Sequence, residues 1–438
     1  MKTYFFCARD VRDYLQNFPQ AKTLKFPPDE FNPLGFMNID RIQKFLRKDI
    51  IGCHPNCDEG LSAPIAGDTG IDGLRLDFNF GLRLDVPKGN FRVRIGEVGG
   101  QTFLDAKLSN VRLVSVEKYF IRWSVEVFLD GEKVFAHALD LEGQDVLINS
   151  LTNALGDNLA FLPAVDELRR RHGCNVSLRL PKYLQEFAAH VYPEINLVDA
   201  ADYEHYATYS PNFIRSNVPI NPIDARDGSI PEVFAATFGV EHFTPEKIFE
   251  PTAPPVTDAP YVCIGVQASI TQKGWLYPNG WDVVVDYLKR LGFRVFCIDK
   301  HAQETSGDLT IHKPAAAEDF TGDFSIMERA NMLHHAKFFV GLSSGLAWLA
   351  DAVNCPVVMI CGFSRDWSEF YTPWRVANRL VCNGCLNDTR VNYFRTRCPR
   401  HNGTPREFEC QKKISPRQVL NAIERLIVER KLLPPILR

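Results

Sequence analysis

The chain has no apolar run long enough to cross a membrane as a helix, and no long run of basic residues. The first absence leaves no membrane span to place. The second, with a net charge of -3, argues against a dedicated nucleic-acid binder. Neither a Walker lysine nor a Gly-x-Gly-x-x-Gly spacing occurs, so no NTPase or dinucleotide site is supported. An Asp-x-Asp metal motif, internal repeats and low-complexity tracts are missing too. The opening residues are briefly apolar, but Arg9, Asp10 and Arg12 interrupt them before signal-peptide length is reached. The expectation is a cytoplasmic protein whose thiols stay reduced.

What the chain does have is apolar material, 45% of 438 residues, enough to build cores for more than one domain. It also has twelve cysteines, and four of them crowd into one segment: Cys382-Asn-Gly-Cys385, then Cys398, then Cys410. A Cys-x-x-Cys pair lets two thiolates from one turn reach the same cation, and two more complete a tetrahedral S4 shell. The segment is polar and loop-like, so a metal cross-link supplies what a missing core cannot. Four unrelated thiols or two disulfides are the alternatives, and the reducing compartment weighs against the second. With every position filled by sulfur the site reads as structural, and zinc and iron suit it equally. Cys53-His-Pro-Asn-Cys57 looks like a ligand cluster, but without a second pair nearby it reads as a turn with buried thiols.

Texture divides the chain. Residues 1–67 are irregular, with a short helical patch near 39–47. Residues 68–142 alternate apolar and polar side chains, as in Phe91-Arg-Val-Arg-Ile95, and predict an antiparallel β-module with a scaffold or oligomerisation role. From 143 to 252 the pattern becomes strand–helix: a strand over 145–149, a helix over 159–171, a strand over 174–180 and a helix over 183–190. Residues 203–231 then read as loops around a cleft. The Pro-rich run beginning Pro251-Thr-Ala-Pro-Pro255 reads as a linker. A second α/β domain follows over 253–430 and includes the cysteine segment at 380–412. The fold class is therefore α/β, with two Rossmann-like domains facing a cleft between the carboxyl edges of their sheets.

Three loops carry candidate chemistry. Asp157 follows a buried strand, where Gly156 permits a tight turn, and suits a general base; by position alone a helix N-cap is the commoner reading. Thr271 and Lys273 follow the first strand of the second domain and suit a phosphate-bearing ligand, although any one loop lysine is more often simply solvated. Ser343, Ser344 and Gly345 open a helix whose free N–H groups favour an anion, or else merely cap it. Trp275, Phe363 and Trp367 are candidates for stacking on a base, against the commoner role of aromatics at a core edge. His334 and His335 read as capping or packing residues at a helix end.

Taken together, Asn153-Ala-Leu-Gly-Asp157-Asn-Leu-Ala-Phe-Leu-Pro-Ala164, Lys273, Trp275, Pro278-Asn-Gly-Trp281 and Gly341-Leu-Ser-Ser-Gly-Leu-Ala-Trp-Leu349 resemble the bacterial autotransporter heptosyltransferases. So do Pro356-Val-Val-Met-Ile-Cys-Gly-Phe363, the cysteine segment through Cys410, and Leu76-Asp-Phe-Asn-Phe80. The resemblance spans about residues 68 to 430. It implies the GT-B fold and transfer of heptose from ADP-heptose to serines of an autotransporter adhesin in the bacterial cytoplasm. It further implies iron on Cys382, Cys385, Cys398 and Cys410, and a large dodecamer-like ring built through the β-module. Asp157 takes the family's role of base, Lys273 that of diphosphate ligand, and Ser343, Ser344 and Gly345 that of donor loop. Gly274 and Cys361 depart from the family pattern. Another nucleotide-sugar transferase or an epimerase, and an inactive metal-stapled scaffold, are the rival readings.

Overall fold

The computed structural model describes residues 2–6, 37–38, 63–79, 81–202, 204–211, 222–224, 226–240, 242–246, 249–306, 309–391 and 397–432. The helical patch expected near 39–47, the Cys53–Cys57 cluster and part of the 203–231 excursion lie outside the described residues.

The C-terminal half is built on six parallel strands ordered Glu318–Asp319, Arg294–Cys297, Tyr261–Gly265, Phe339–Leu342, Val357–Ile360 and Arg375–Val376. Tyr261–Gly265 and Phe339–Leu342 are buried at every residue, as strands covered by helices on both faces must be. Chain order reverses between these two strands, and a sheet of this kind opens its crevice at that switch point. Serine capping boxes start the helices Ile326–His335 and Pro416–Glu429 by satisfying their first free N–H groups.

The N-terminal half merges two textures into one nine-stranded sheet. Asn196–Val198, Asn175–Arg179, Asp145–Asn149 and Ala207–Tyr209 run parallel, and Ala207–Tyr209 continues in parallel onto Arg75–Asn79. From there the sheet turns antiparallel through Arg83–Val86 and Val111–Ser115. The alternating region over 68–142 thus divides its strands. Phe91–Glu97, Thr102–Leu108, Trp123–Leu129 and Glu132–Ala138 form a separate antiparallel sheet. Alternation reports which face a strand buries but not which strand it pairs with.

The seam strand is held by a buried ion pair. Asp77 and Arg83 are cross-strand partners, and the guanidinium contacts both carboxylate oxygens, at 2.8 and 2.6 Å. Arg83 also donates to the Ala63 and Pro64 carbonyls, and Asn79 donates to Asp77 and to the His205 carbonyl. The polar residues of Leu76-Asp-Phe-Asn-Phe80 therefore anchor the α/β layer to the antiparallel strands.

The two halves meet where the helices Leu155–His172 and Gly345–Ala352 begin. A Cβ on Gly156 would lie 2.9 Å from Trp348 Cδ1, and one on Gly345 would lie 2.8 Å from Leu155 Cβ. Gly156 is required for this close approach and not for a left-handed turn. The helix also starts at Leu155 rather than at 159, which puts Asp157 inside its first turn.

Arg83→Ala is expected to cost about 3–5 kcal/mol by leaving Asp77 buried and unpaired, measured by urea denaturation. A second urea series tests the helix contact: Gly156→Val should destabilise by about 1–3 kcal/mol as Trp348 is displaced.

Candidate functional site

Asp157 is the third residue of its helix, in a first turn whose free N–H groups no side chain caps. Asn158 donates to the Thr152 and Ala154 carbonyls, at 3.1 and 2.9 Å, and accepts from Ser150 Oγ at 2.8 Å. The N-cap residue Ala154 makes no side-chain cap bond. The Asp157 carboxylate receives a long contact of 3.5 Å from Thr152 Oγ1. It is therefore not committed to capping, and it stands at the boundary of the two halves. Burial pushes its pKa above the ordinary carboxylate range, while the charge of Lys273 and the Thr152 hydroxyl oppose that shift. Lys273 is thus within electrostatic reach of Asp157, although their loops are more than a hundred residues apart in sequence.

Lys273 ends the short 3-10 turn Thr271–Lys273. This turn is fixed from behind. Gln272 Nε2 donates to the Arg397 carbonyl at 2.7 Å, and Gln411 Nε2 donates to the Thr271 carbonyl at 3.0 Å. Trp275 is buried, stacks edge-on against Trp281 with centroids 5.0 Å apart, and donates its indole N–H to the Ile414 carbonyl at 2.8 Å. Its polar atom is occupied and its ring is enclosed, so it braces the Lys273 turn and offers no stacking face. Phe363 is likewise buried and lines the cysteine pocket instead of the cleft. Trp367 is about half exposed, at 48%. His334 and His335 contact the Val353 and Ala253 carbonyls, the packing role their position suggests.

The two serines of the Gly341–Gly345 loop are not equivalent. Ser343 Oγ donates to Glu369 Oε1, a residue the sequence reading passed over. Glu369 is buried, accepts from Ser364 Oγ at 2.9 Å and pairs with Arg375 at 2.9 Å. Burial pushes its pKa up, but the charges of Arg375 and Lys273 and the Ser343 and Arg375 hydrogen bonds outweigh that and hold it below the ordinary range. Ser344 Oγ is buried and has no hydrogen-bond partner among the described residues. A buried hydroxyl of this kind at a helix start, beside the positive end of the helix dipole, has the chemistry to donate to an anionic group. Asp299, also unremarked in the sequence, accepts from the Val266 and Gln267 N–H groups at 2.7 and 3.2 Å. It shapes the loop that leads to Lys273, and burial pushes its pKa up to about 6.

Cys382, Cys385, Cys398 and Cys410 line one small cavity of about 10 Å³, roughly the size that holds a single small species. All four are free thiols. Burial pushes Cys385 up to about 12, and burial together with the neighbouring thiols raises Cys410 as well. A cation bound by these sulfurs would reverse that preference and stabilise thiolates, and sulfur is a donor that both zinc and iron accept. His401 and Glu409 approach Cys382 closely enough that the three ligand atoms lie within 4.8 Å of one another. Glu409 Oε1 accepts from the Cys382 N–H at 2.9 Å, and Arg400 donates to Cys382 Sγ at 3.4 Å. The finger is also tied to the first half of the molecule, since Asn387 Nδ2 donates to the Arg226 carbonyl at 3.1 Å. Among the described residues no helix is long and apolar enough to cross a membrane.

Residues 70–131 match the model of the glycosyltransferase TibC N-terminal domain, and residues 236–394 match that of glycosyltransferase family 9 (heptosyltransferase). The autotransporter heptosyltransferase BAHTCr of Citrobacter rodentium is 38% identical over 82% of this chain and 90% of its own length. The crystal structure of the iron-containing dodecameric glycosyltransferase TibC from enterotoxigenic E. coli superposes with a TM-score of 0.80. It is 36% identical, over 85% of this chain and 99% of that one. TibC has also been crystallised with ADP-D-beta-D-heptose, with a TM-score of 0.79 and 34% identity, over 84% of this chain and 99% of that one. The inactive autotransporter heptosyltransferase BimC of Burkholderia thailandensis is 32% identical over 83% of this chain and 89% of its own length. The mixed and parallel sheets, the cysteine finger and these similarities over most of both chains agree: the chain belongs to the autotransporter heptosyltransferase family.

Proposed function

We propose that this chain transfers heptose from ADP-heptose to serine hydroxyls of an autotransporter adhesin, with inversion, in the bacterial cytoplasm. The observation that carries the reading is the convergence of an uncapped, desolvated Asp157 with Lys273 across the domain boundary, in a chain so similar to TibC. An inactive relative exists, so membership of the family does not by itself establish turnover. The presence of both Asp157 and Lys273 supports an active enzyme over a scaffold.

In this mechanism the serine Oγ attacks the anomeric carbon of the donor and its proton passes to the Asp157 carboxylate. The bond from that carbon to the diphosphate oxygen breaks as the new C–O bond forms, and ADP leaves. Lys273, Ser344 and the N–H groups at the start of Gly345–Ala352 stabilise the charge gathering on the diphosphate. Thr271 supports the same site as part of the Lys273 turn. Residues 143–252 hold the acceptor side and 253–430 the nucleotide-sugar side, while 68–142 carry contacts of a dodecamer-like assembly. Iron would be held by Cys382, Cys385, Cys398 and Cys410, where it supplies a structural cross-link; zinc has the same donor preferences. Gln272 and Gln411 link the finger to the Lys273 turn, so a folded finger keeps the lysine in place.

Incubating a serine-rich autotransporter fragment with the protein and ADP-heptose should add a heptose-sized mass. Asp157→Asn should retain donor binding while turnover falls by a factor of roughly 10² to 10⁴. Since Asp157 must be ionised to accept the proton and its pKa is raised, the wild-type rate should fall on the acid side at a pH above the ordinary carboxylate range. Near-normal turnover in the variant would remove Asp157 from the role. Metal removal by a chelator should lower the melting temperature and weaken ADP-heptose binding, followed by calorimetry. A metal-free protein of equal stability would contradict a structural finger.

A further inference from the structure

The proposed mechanism leaves one buried group at the site without a part, the Glu369 carboxylate. Its side chain is 2% exposed and is fixed by Arg375 at 2.9 Å and Ser364 Oγ at 2.9 Å, with Arg375 also donating to Ser364 Oγ at 2.7 Å. Arg375 is held in turn against Asp366 at 3.6 Å. A carboxylate this enclosed needs every one of these partners to remain charged. Yet its other oxygen takes the Ser343 hydroxyl, from the loop that begins the helix Gly345–Ala352, and its charge also acts on Lys273. One acid therefore touches one of the two candidate anion-receiving elements and acts across space on the other, while Ser344 Oγ is buried with no hydrogen-bond partner among the described residues.

We propose that Glu369 is a positioning residue of the donor site: it anchors Ser343, draws Lys273 toward the helix start, and so leaves Ser344 as the hydroxyl that meets the diphosphate. This rests on the function proposed above. The two serines then have separate work. Ser343 sets the loop and Ser344 contacts the ligand. Lys273 acts electrostatically on two carboxylates, Asp157 and Glu369. Removing the charge of Glu369 frees the lysine to lean toward Asp157 and away from the diphosphate. Arg375, Ser364 and Asp366 act only through Glu369 and need not approach the ligand.

The test is a double-mutant cycle on the full chain, with ADP and ADP-heptose binding followed by calorimetry and melting temperatures recorded in parallel. Glu369→Gln, which keeps the size and an acceptor for Ser343, should weaken ADP binding about tenfold, the loss of one charge-assisted contact. Lys273→Ala should then cost at least about threefold less on the Glu369→Gln background than on wild type, because the two residues are coupled. Ser344→Ala should weaken binding with no change in melting temperature. Additive effects of the Glu369 and Lys273 substitutions, or wild-type affinity in Glu369→Gln, would overturn the positioning role. If Glu369→Gln does not fold, Ser343→Ala removes one partner of the same carboxylate; unchanged ADP affinity there overturns the proposal, and a loss of about fivefold supports it. Wild-type protein that binds neither ADP nor ADP-heptose would instead overturn the donor reading itself, an outcome distinct from uncoupled variants of a protein that binds both.

Discussion

The architecture of the site depends on how closely two helix starts approach each other. Gly156 lies against Trp348, and Gly345 against Leu155, with no room for a side chain at either glycine. These contacts come from opposite halves of the molecule. They bring the positive ends of two helix dipoles toward one region. A catalytic group in such a fold is useful only if it is held within a fraction of an ångström of its partner, and backbone packing at glycines fixes position more firmly than flexible side chains can.

A second constraint acts from behind. The Lys273 turn lacks a side-chain cap of its own and is held by Gln272 and Gln411, each bonded across to or from the cysteine finger. Trp275 adds a buried indole bonded to Ile414. The cysteine finger thereby bears on the position of Lys273 through two amide side chains, with one aromatic ring beside them. The same finger reaches the opposite half through Asn387 and Arg226. It thus ties the Lys273 turn and a segment of the first half of the molecule to one loop.

Charge is arranged along the same line. Desolvation raises the pKa of Asp157, which makes it a better proton acceptor once ionised, and Lys273 keeps that ionisation within reach. On the far side Glu369 is kept charged by Arg375 and its hydroxyl donors despite complete enclosure. Two buried carboxylates near one lysine end with opposite shifts because one has a dedicated arginine and the other does not. Environment, not residue type, separates their roles.

The amino-acid sequence by itself determined what short-range chemistry can encode. Fully apolar runs at Tyr261–Gly265 and Phe339–Leu342 specify strands covered on both faces, and the spacing of Cys382, Cys385, Cys398 and Cys410 marks the segment whose four thiols share one small cavity. The motifs around Asp157, Lys273 and Ser343-Ser344-Gly345 stand out in the sequence because strand carboxyl ends that lead into helices carry a recognisable pattern. Tertiary structure decided the rest. It left the helix start at Ala154 without a side-chain cap, enclosed Trp275 and Phe363, and brought in Glu369, Arg375, Asp299 and Gln411 from outside every motif. It also divided the alternating strands of the β-module between two sheets. Pairing partners and hydrogen-bond acceptors that lie tens to hundreds of residues apart leave no periodicity to read. Only the folded chain, by excluding water and requiring every buried polar group to find a partner, selects among them.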